Sequence, residues 1–181
     1  GVSDDQRRRA KVVNFGIMYG AGPFRMSNEL EISRGEAAEL ISNYFNTYPG
    51  IRNYLDETIE FARDNKFVQT LFGRRRPVPD IDASNRMSRE GAERIATNMP
   101  IQGTAADIIK LAMIQVHKRI KAEGLKTKMI LQVHDELVFE VPEDEIEALT
   151  PLVRETMEHT VDLDIPLTVD IGIGDNWLEA H

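Results

Sequence analysis

Arg7, Lys11, Phe15 and Tyr19 stand four residues apart in the stretch Arg7-Arg8-Arg9-Ala10-Lys11-Val12-Val13-Asn14-Phe15-Gly16-Ile17-Met18-Tyr19-Gly20. On an α-helix this step makes one slowly drifting ridge, about 18 Å long from Arg7 to Tyr19. Ala10, Val13 and Ile17 fall on roughly the opposite side, so one face can pack on a core while the other shows two cations and then two rings. Cations suit a polyphosphate, and flat rings suit a nucleobase or sugar. The same residues also describe an amphipathic helix with a solvated basic end and ordinary core aromatics. Gly20 is placed to end the helix.

Two further sets of residues have chemistry in their spacing. Lys128–Val133 and Glu136–Val141 are apolar, β-branched-rich runs joined by His134-Asp135 alone. That pattern predicts a tight hairpin over 128–141 with the two joining residues raised at its tip. His-Asp is not the Asn-Gly such a turn prefers, so local propensity is overridden there. An ionised Asp135 at the tip, beside Glu136, can present a hard oxygen ligand to Mg²⁺; a solvated acidic turn has the same composition. Arg94, Asn98 and Gln102 repeat the four-residue step. They can reach phosphates or minor-groove acceptors without demanding a base identity, or bond within the fold. Gly103-Thr104-Ala105-Ala106 admits close approach of a neighbouring helix or of DNA. Arg74-Arg75-Arg76 reads either as a solvated turn or as a contact to a nucleic-acid backbone.

The elements that must position these residues begin with helices. A helical piece is expected at Phe24–Leu30. Ser33-Arg34-Gly35-Glu36 has the form of a capping box opening a helix to about Asn46. Tyr48-Pro49-Gly50 signals a turn, and Ile51–Asn65 has Ile51, Tyr54, Leu55, Ile59 and Ala62 at helical spacing. Phe67–Pro79 changes period and suggests two short extended segments around Gly73. A long helical region follows from about Asn85 to Glu123, which Pro100 and Gly103 should divide or kink. Pro142-Glu143 starts an acidic helix to about Thr160, and alternation of Leu167, Val169 and Ile171 predicts a last strand over 165–172. The fold class is therefore α+β: a helical first part, then helices packed on a small antiparallel sheet.

Composition sets the bounds. The 181 residues suffice for a real core, and 41% hydrophobic with 29% charged residues is ordinary for a globular protein. No apolar run approaches the ~20 residues that span a bilayer, and no signal-like segment opens the chain. The absence of cysteine excludes disulfides and thiolate metal sites and is compatible with a reducing, cytoplasmic setting. A net charge of −8 argues mildly against nucleic acid. The cations are clustered, however, at 7–11 and 74–76, and a local basic surface on an acidic body can still bind phosphates. Histidines at 117, 134, 159 and 181 are scattered, which gives little to a metal-dependent phosphohydrolase.

The pattern Arg-x3-Lys-x3-Phe-x3-Tyr-Gly at 7–20 resembles the nucleotide-binding fingers helix of family A DNA polymerases, the bacterial DNA polymerase I type. Gln132-Val133-His134-Asp135-Glu136-Leu137 is similar to that family's second catalytic carboxylate motif. Between them, Arg94-x3-Asn98-x3-Gln102-Gly103-Thr104-Ala105-Ala106-Asp107 resembles the helix that follows DNA near the primer terminus. The three occur in family order. The resemblance implies fingers over 1–83 and the C-terminal part of a palm over 84–181. It implies that Arg7 and Lys11 grip the phosphates of a dNTP, with Phe15 against the nucleotide and Tyr19 near the template base. Arg94, Asn98, Gln102 and His134 would hold primer-template DNA. Asp135 would bind one ion of a two-Mg²⁺ site, with Lys11 and Glu136 also in the catalytic set. The family's other catalytic aspartate lies in a motif of the type Asp-x-Ser-x-x-Glu-x-Arg, which this chain lacks. Its place would precede Gly1, so the resemblance implies a fragment that needs the N-terminal remainder of the polymerase and is inactive alone. The rival reading is a free-standing nucleic-acid-binding module that kept the surface and lost the chemistry.

Overall fold

Ser3 opens the first helix, and its side chain and that of Gln6 cap each other's backbone N–H groups. This computed structural model describes residues 1–180. The opening helix, α1 (Asp4–Met18), ends in two reverse-turn hydrogen bonds, Gly20 N–H to Ile17 O and Ala21 N–H to Gly16 O. That arrangement needs a left-handed residue, and Gly20 supplies it at φ 71°. Helix α2 (Pro23–Leu30) starts on a proline whose missing N–H costs nothing at that position. The expected Ser33–Glu36 capping box opens α3 (Arg34–Thr47), and Pro49 opens α4 (Pro49–Asn65). Strands β1 (Phe67–Gln69) and β2 (Arg75–Pro77) form the short antiparallel hairpin expected around Gly73, with Val68 opposite Arg76.

Helix α5 (Arg86–Ala122) runs 37 residues with Pro100 inside it, so of the expected division or kink near 98–102 the helix does not take the division. Pro100 withdraws one N–H from the ladder without ending the helix. Instead, the chain divides there into compact units, Gly1–Gly103 and Thr104–His181. The first unit reaches into α5 because Ala92, Ala96 and Met99 share a core with Ala62, Val68, Val78 and Ile81. A second core in the first unit gathers Ile17, Ala21, Met26, Leu30 and Ala37. Met26 is fully buried, a burial that stabilises by about 2 kcal/mol. Its terminal methyl sits 2.8 Å from where a Cβ on Gly16 would lie, so α1 and α2 approach closely through that glycine.

In the second unit, β3 (Lys128–Val133) pairs antiparallel with β4 (Glu136–Glu140), with a register irregularity between Met129 and Leu131. A 3₁₀ turn at 143–145 leads into α6 (Ile146–Glu158), which contains Pro151. Val116 and Ile120 of α5 pack with Leu149, Leu152 and Val153 of α6, flanked by Met129 and Phe139 of the hairpin. Residues 165–172 do not form the expected strand. Alternation is present there but a ladder is not. The Val169 N–H donates to the Glu158 carboxylate and its carbonyl accepts from Arg154, so α6 side chains take its backbone groups. A short helix, α7 (Trp177–Ala180), comes last. Among the described residues, no helix is long and apolar enough to cross a membrane.

Candidate functional site

The ridge on α1 forms as its spacing requires. Gly16 and Ile17 are buried, Val12 and Val13 are half-buried against the same core, and Arg7, Lys11 and Phe15 are exposed. Among the described residues, neither the Arg7 nor the Lys11 side chain makes a hydrogen bond or ion pair. The contrast is with Arg8 between them, which holds Asp5 at 2.8 Å. Phe15 is 57% exposed, a large apolar surface to leave in water on a helix that has a core to bury it in. Its ring stacks on Tyr19, centroids 6.0 Å apart and planes at 20°. Two open cations followed by a stacked pair of rings can take an anion at one end and a flat group at the other.

Tyr19 also belongs to a second feature of the first unit, an open cavity of about 720 Å³. Arg94, Asn98 and Gln102 line it, one helical turn apart on α5. The structure thus brings Tyr19 together with three residues far along the sequence. The Arg94 stem lies over Gly20, where an added Cβ would meet its Cγ at 3.2 Å. Asn98 Oδ1 is buried with no hydrogen-bond partner, and such atoms ordinarily find one. Arg76 and Arg25 also line the cavity. Arg25 was not singled out in the sequence, and Arg76 was only one of three equivalent arginines. Within this chain the close neighbour of Gly103 is not another helix. It is the β1–β2 loop, since an added Cβ would lie 2.7 Å from Thr70 Cγ2, and Arg74 donates to the Gly103 carbonyl at 2.9 Å.

In the second unit, His134 and Asp135 form the two-residue turn between β3 and β4, and both are exposed. Only His134 of the pair takes a positive φ, 52°, and the Gln132 side-chain amide donates to its carbonyl. A turn residue other than glycine or asparagine in that region is strained, and the short bond from Gln132 helps hold it. The Asp135 carboxylate makes no hydrogen bond or ion pair among the described residues. Open oxygens raised on a rigid hairpin fit a single carboxylate ligand for a hard cation. Glu136 starts β4, half-buried and paired with Val133 across the ladder. Among the described residues, no three His, Cys, Asp or Glu side chains come together as a complete metal site.

Comparison with known proteins agrees with this arrangement. The sequence profile for DNA polymerase family A matches residues 1–179. DNA polymerase I of Deinococcus radiodurans is 51% identical over 99% of this chain, and that of Streptococcus pneumoniae 52%. The thermostable DNA polymerase I of Thermus filiformis is 50% identical. This chain spans about a fifth of the length of these relatives, 18%, 20% and 21% in turn. The solved POL domain of Pol1 from M. smegmatis, in complex with DNA primer-template and dNTP, superposes with a TM-score of 0.95 at 46% identity, covering 99% of this chain and 32% of that one. With the profile covering nearly every residue and identity near one half throughout, the chain belongs to DNA polymerase family A.

Proposed function

We propose that this chain supplies the nucleotide-binding helix and one metal-ligating carboxylate of a template-directed DNA polymerase. The reaction joins a primer 3′ oxygen to the α-phosphorus of a dNTP and releases pyrophosphate. The observation that carries this reading is the unpaired state of Arg7 and Lys11 on the face of α1 that ends in the Phe15–Tyr19 stack. Arg7 and Lys11 hold the triphosphate, and Lys11 neutralises the leaving pyrophosphate and gives it a proton. Phe15 lies against the nucleotide and Tyr19 beside the template base. Arg94, Asn98, Gln102 and His134 hold primer-template DNA. Residues 1–83 act as fingers and 84–181 as the C-terminal part of the palm.

Asp135 is the Mg²⁺ ligand of this chain, supported by its exposure and open carboxylate. Mg²⁺, when bound, supplies charge neutralisation at the attacking and leaving oxygens. Glu136 neighbours that site without being needed for the fit. The remaining ligands come from the N-terminal remainder of the polymerase, so the chain alone does not extend a primer. The test is primer extension with purified chain, Mg²⁺ and four dNTPs, with and without an added N-terminal polymerase fragment. Extension is expected only with both pieces and is lost in Asp135→Ala. Robust extension by the chain alone would overturn the division of the metal site.

A further inference from the structure

Helix α1 carries the ridge of Arg7, Lys11, Phe15 and Tyr19, yet its own hold on the protein is slight. Of its 15 residues only Gly16 and Ile17 are buried, and Gly16 has no side chain to key it in place. Val12 and Val13 are half-buried against the same core. Apolar contacts of this kind are not directional, so they fix rotation about the helix axis only weakly. Rotation matters here, because it decides which way Lys11 and Phe15 point.

One directional contact reaches α1 from outside. The Tyr44 hydroxyl of α3 donates to Asn14 Oδ1 at 2.9 Å. Among the described residues it is the only side-chain hydrogen bond from α1 to another helix. Asn14 flanks the ridge, about 60° round the helix from Lys11 and about 100° from Phe15. Tyr44 is itself well seated. Its half-buried ring packs on the core of Ile17, Met26 and Ala37, meets Phe45 edge-on at 5.9 Å between centroids, and lies tilted against Tyr48 at 5.1 Å. Burial, and then the neighbouring Tyr48, push its hydroxyl above the ordinary range, so it stays protonated and able to donate. We propose that Tyr44 is a positioning residue for nucleotide binding: bonded to Asn14, it fixes the rotation of α1 so that Lys11 and Phe15 turn toward the same nucleotide. Tyr44 touches neither nucleotide nor DNA. The proposal rests on the polymerase reading above and deepens it by naming what aims the ridge. Without the bond, α1 samples other rotations and a nucleotide binds only the correctly turned fraction. Apparent affinity then falls by that fraction, while the rate at saturation keeps its value, because a bound nucleotide has already selected the right rotation.

The experiment is single-turnover incorporation by the polymerase that contains this chain, which separates the apparent dNTP Kd from the maximal rate. Tyr44→Phe keeps the ring and removes only the donor. It is expected to raise the apparent Kd about three- to tenfold, the range of one neutral hydrogen bond, with maximal rate and primer-template affinity within about twofold of wild type. Asn14→Ala should do the same, and the double variant should be no worse than either single one, since one bond is lost only once. Tyr48→Phe removes a hydroxyl that has no hydrogen bond among the described residues, and it leaves the Kd unchanged. An unchanged Kd in Tyr44→Phe, whatever its melting temperature, would make the bond merely structural and overturn the proposal. So would additive losses in the double variant, a loss confined to Asn14→Ala, an equal loss in Tyr48→Phe, or a matching loss of primer-template affinity. If Lys11→Ala still raises the Kd in those cases, the polymerase reading survives without it; if Lys11→Ala also leaves the Kd unchanged, both fall.

Discussion

Compare the charges on α1 with those around α6. Arg119 of α5 reaches Glu155 at 2.7 Å and Thr156 at 3.1 Å, and Glu145 accepts from the Lys126 N–H, the Thr127 N–H and the Thr127 hydroxyl. These groups tie a helix and a strand start to their neighbours. On α1, among the described residues, neither the Arg7 nor the Lys11 side chain has a hydrogen bond or ion pair, whereas Arg8 takes Asp5, three residues before it. A paired charge fixes geometry at the cost of being unavailable, whereas an open charge adds little to the fold and is ready for an anion from outside. The difference separates residues that hold this protein together from residues whose charge the fold leaves open.

The sharpest way to break that comparison is Asp135→Ala in the polymerase that contains this chain. An open carboxylate at a hairpin tip should carry chemistry and almost no stability. Turnover is expected to fall on the order of a thousandfold, about 4 kcal/mol of barrier, with an unchanged melting temperature. A large loss of melting temperature with modest loss of turnover would place Asp135 among the structural charges. Next in size is Lys11→Ala, which should reduce nucleotide incorporation efficiency by about 10- to 100-fold, from one charge-assisted contact to phosphate. Single-nucleotide incorporation and duplex binding measured side by side check this. Equal losses in both would assign Lys11 to the DNA backbone.

How much of this was legible in the sequence follows the range of the interactions involved. Local rules sufficed for the ridge on α1, the Ser33–Glu36 capping box and both hairpins, because each depends on neighbours within a few residues. Ser3-Asp4-Asp5-Gln6 carries the same kind of local capping signal at the start of α1. Long-range choices were not legible. The alternation at 167–171 met the strand pattern, but a ladder needs a partner, and Glu158 and Arg154 hold Val169 instead. The separate fates of Arg74, Arg75 and Arg76 turn on Gly103, Phe67 and the α5 cavity. The hairpin turn shows tertiary demand overriding propensity, since His134 adopts a φ that glycine or asparagine would take more easily.

The paired side of the comparison makes its own prediction. The Lys126 backbone N–H bond, then the Thr127 hydroxyl and N–H, hold the Glu145 carboxyl below its ordinary range. A carboxyl with a depressed folded value adds stability that is fully present above its ordinary, unfolded value and is lost as pH falls through the folded one. Glu145→Gln should therefore lower the melting temperature by a few degrees at neutral pH and flatten its decline below the ordinary carboxylate range. Nucleotide incorporation at a permissive temperature should stay at the wild-type level. An unchanged melting curve at neutral pH would show that these bonds do not anchor the start of β3.

The smallest effect is expected where the two classes sit side by side on one helix. Arg8 is flanked by residues of the same type, and charge alone would make Arg7, Arg8 and Arg9 interchangeable phosphate ligands. Geometry separates Arg7 from Arg8. Arg7 lies on the ridge with Lys11, while Arg8 is rotated by ~100° and neutralised by Asp5. Both members of that pair are well over half exposed, at 66% and 62%, so water screens their attraction. A solvated pair at this spacing contributes about 0.5 kcal/mol or less. Arg8→Ala should accordingly change stability by no more than that and nucleotide use by less than about twofold, within the range of ordinary surface substitutions. Arg7→Ala, one residue away, should leave stability untouched and raise the nucleotide KM several-fold. Measuring both variants by melting and by single-nucleotide incorporation decides the matter. If Arg8→Ala impairs nucleotide use as much as Arg7→Ala, the basic end of α1 acts as a diffuse field and not as a ridge with one working face.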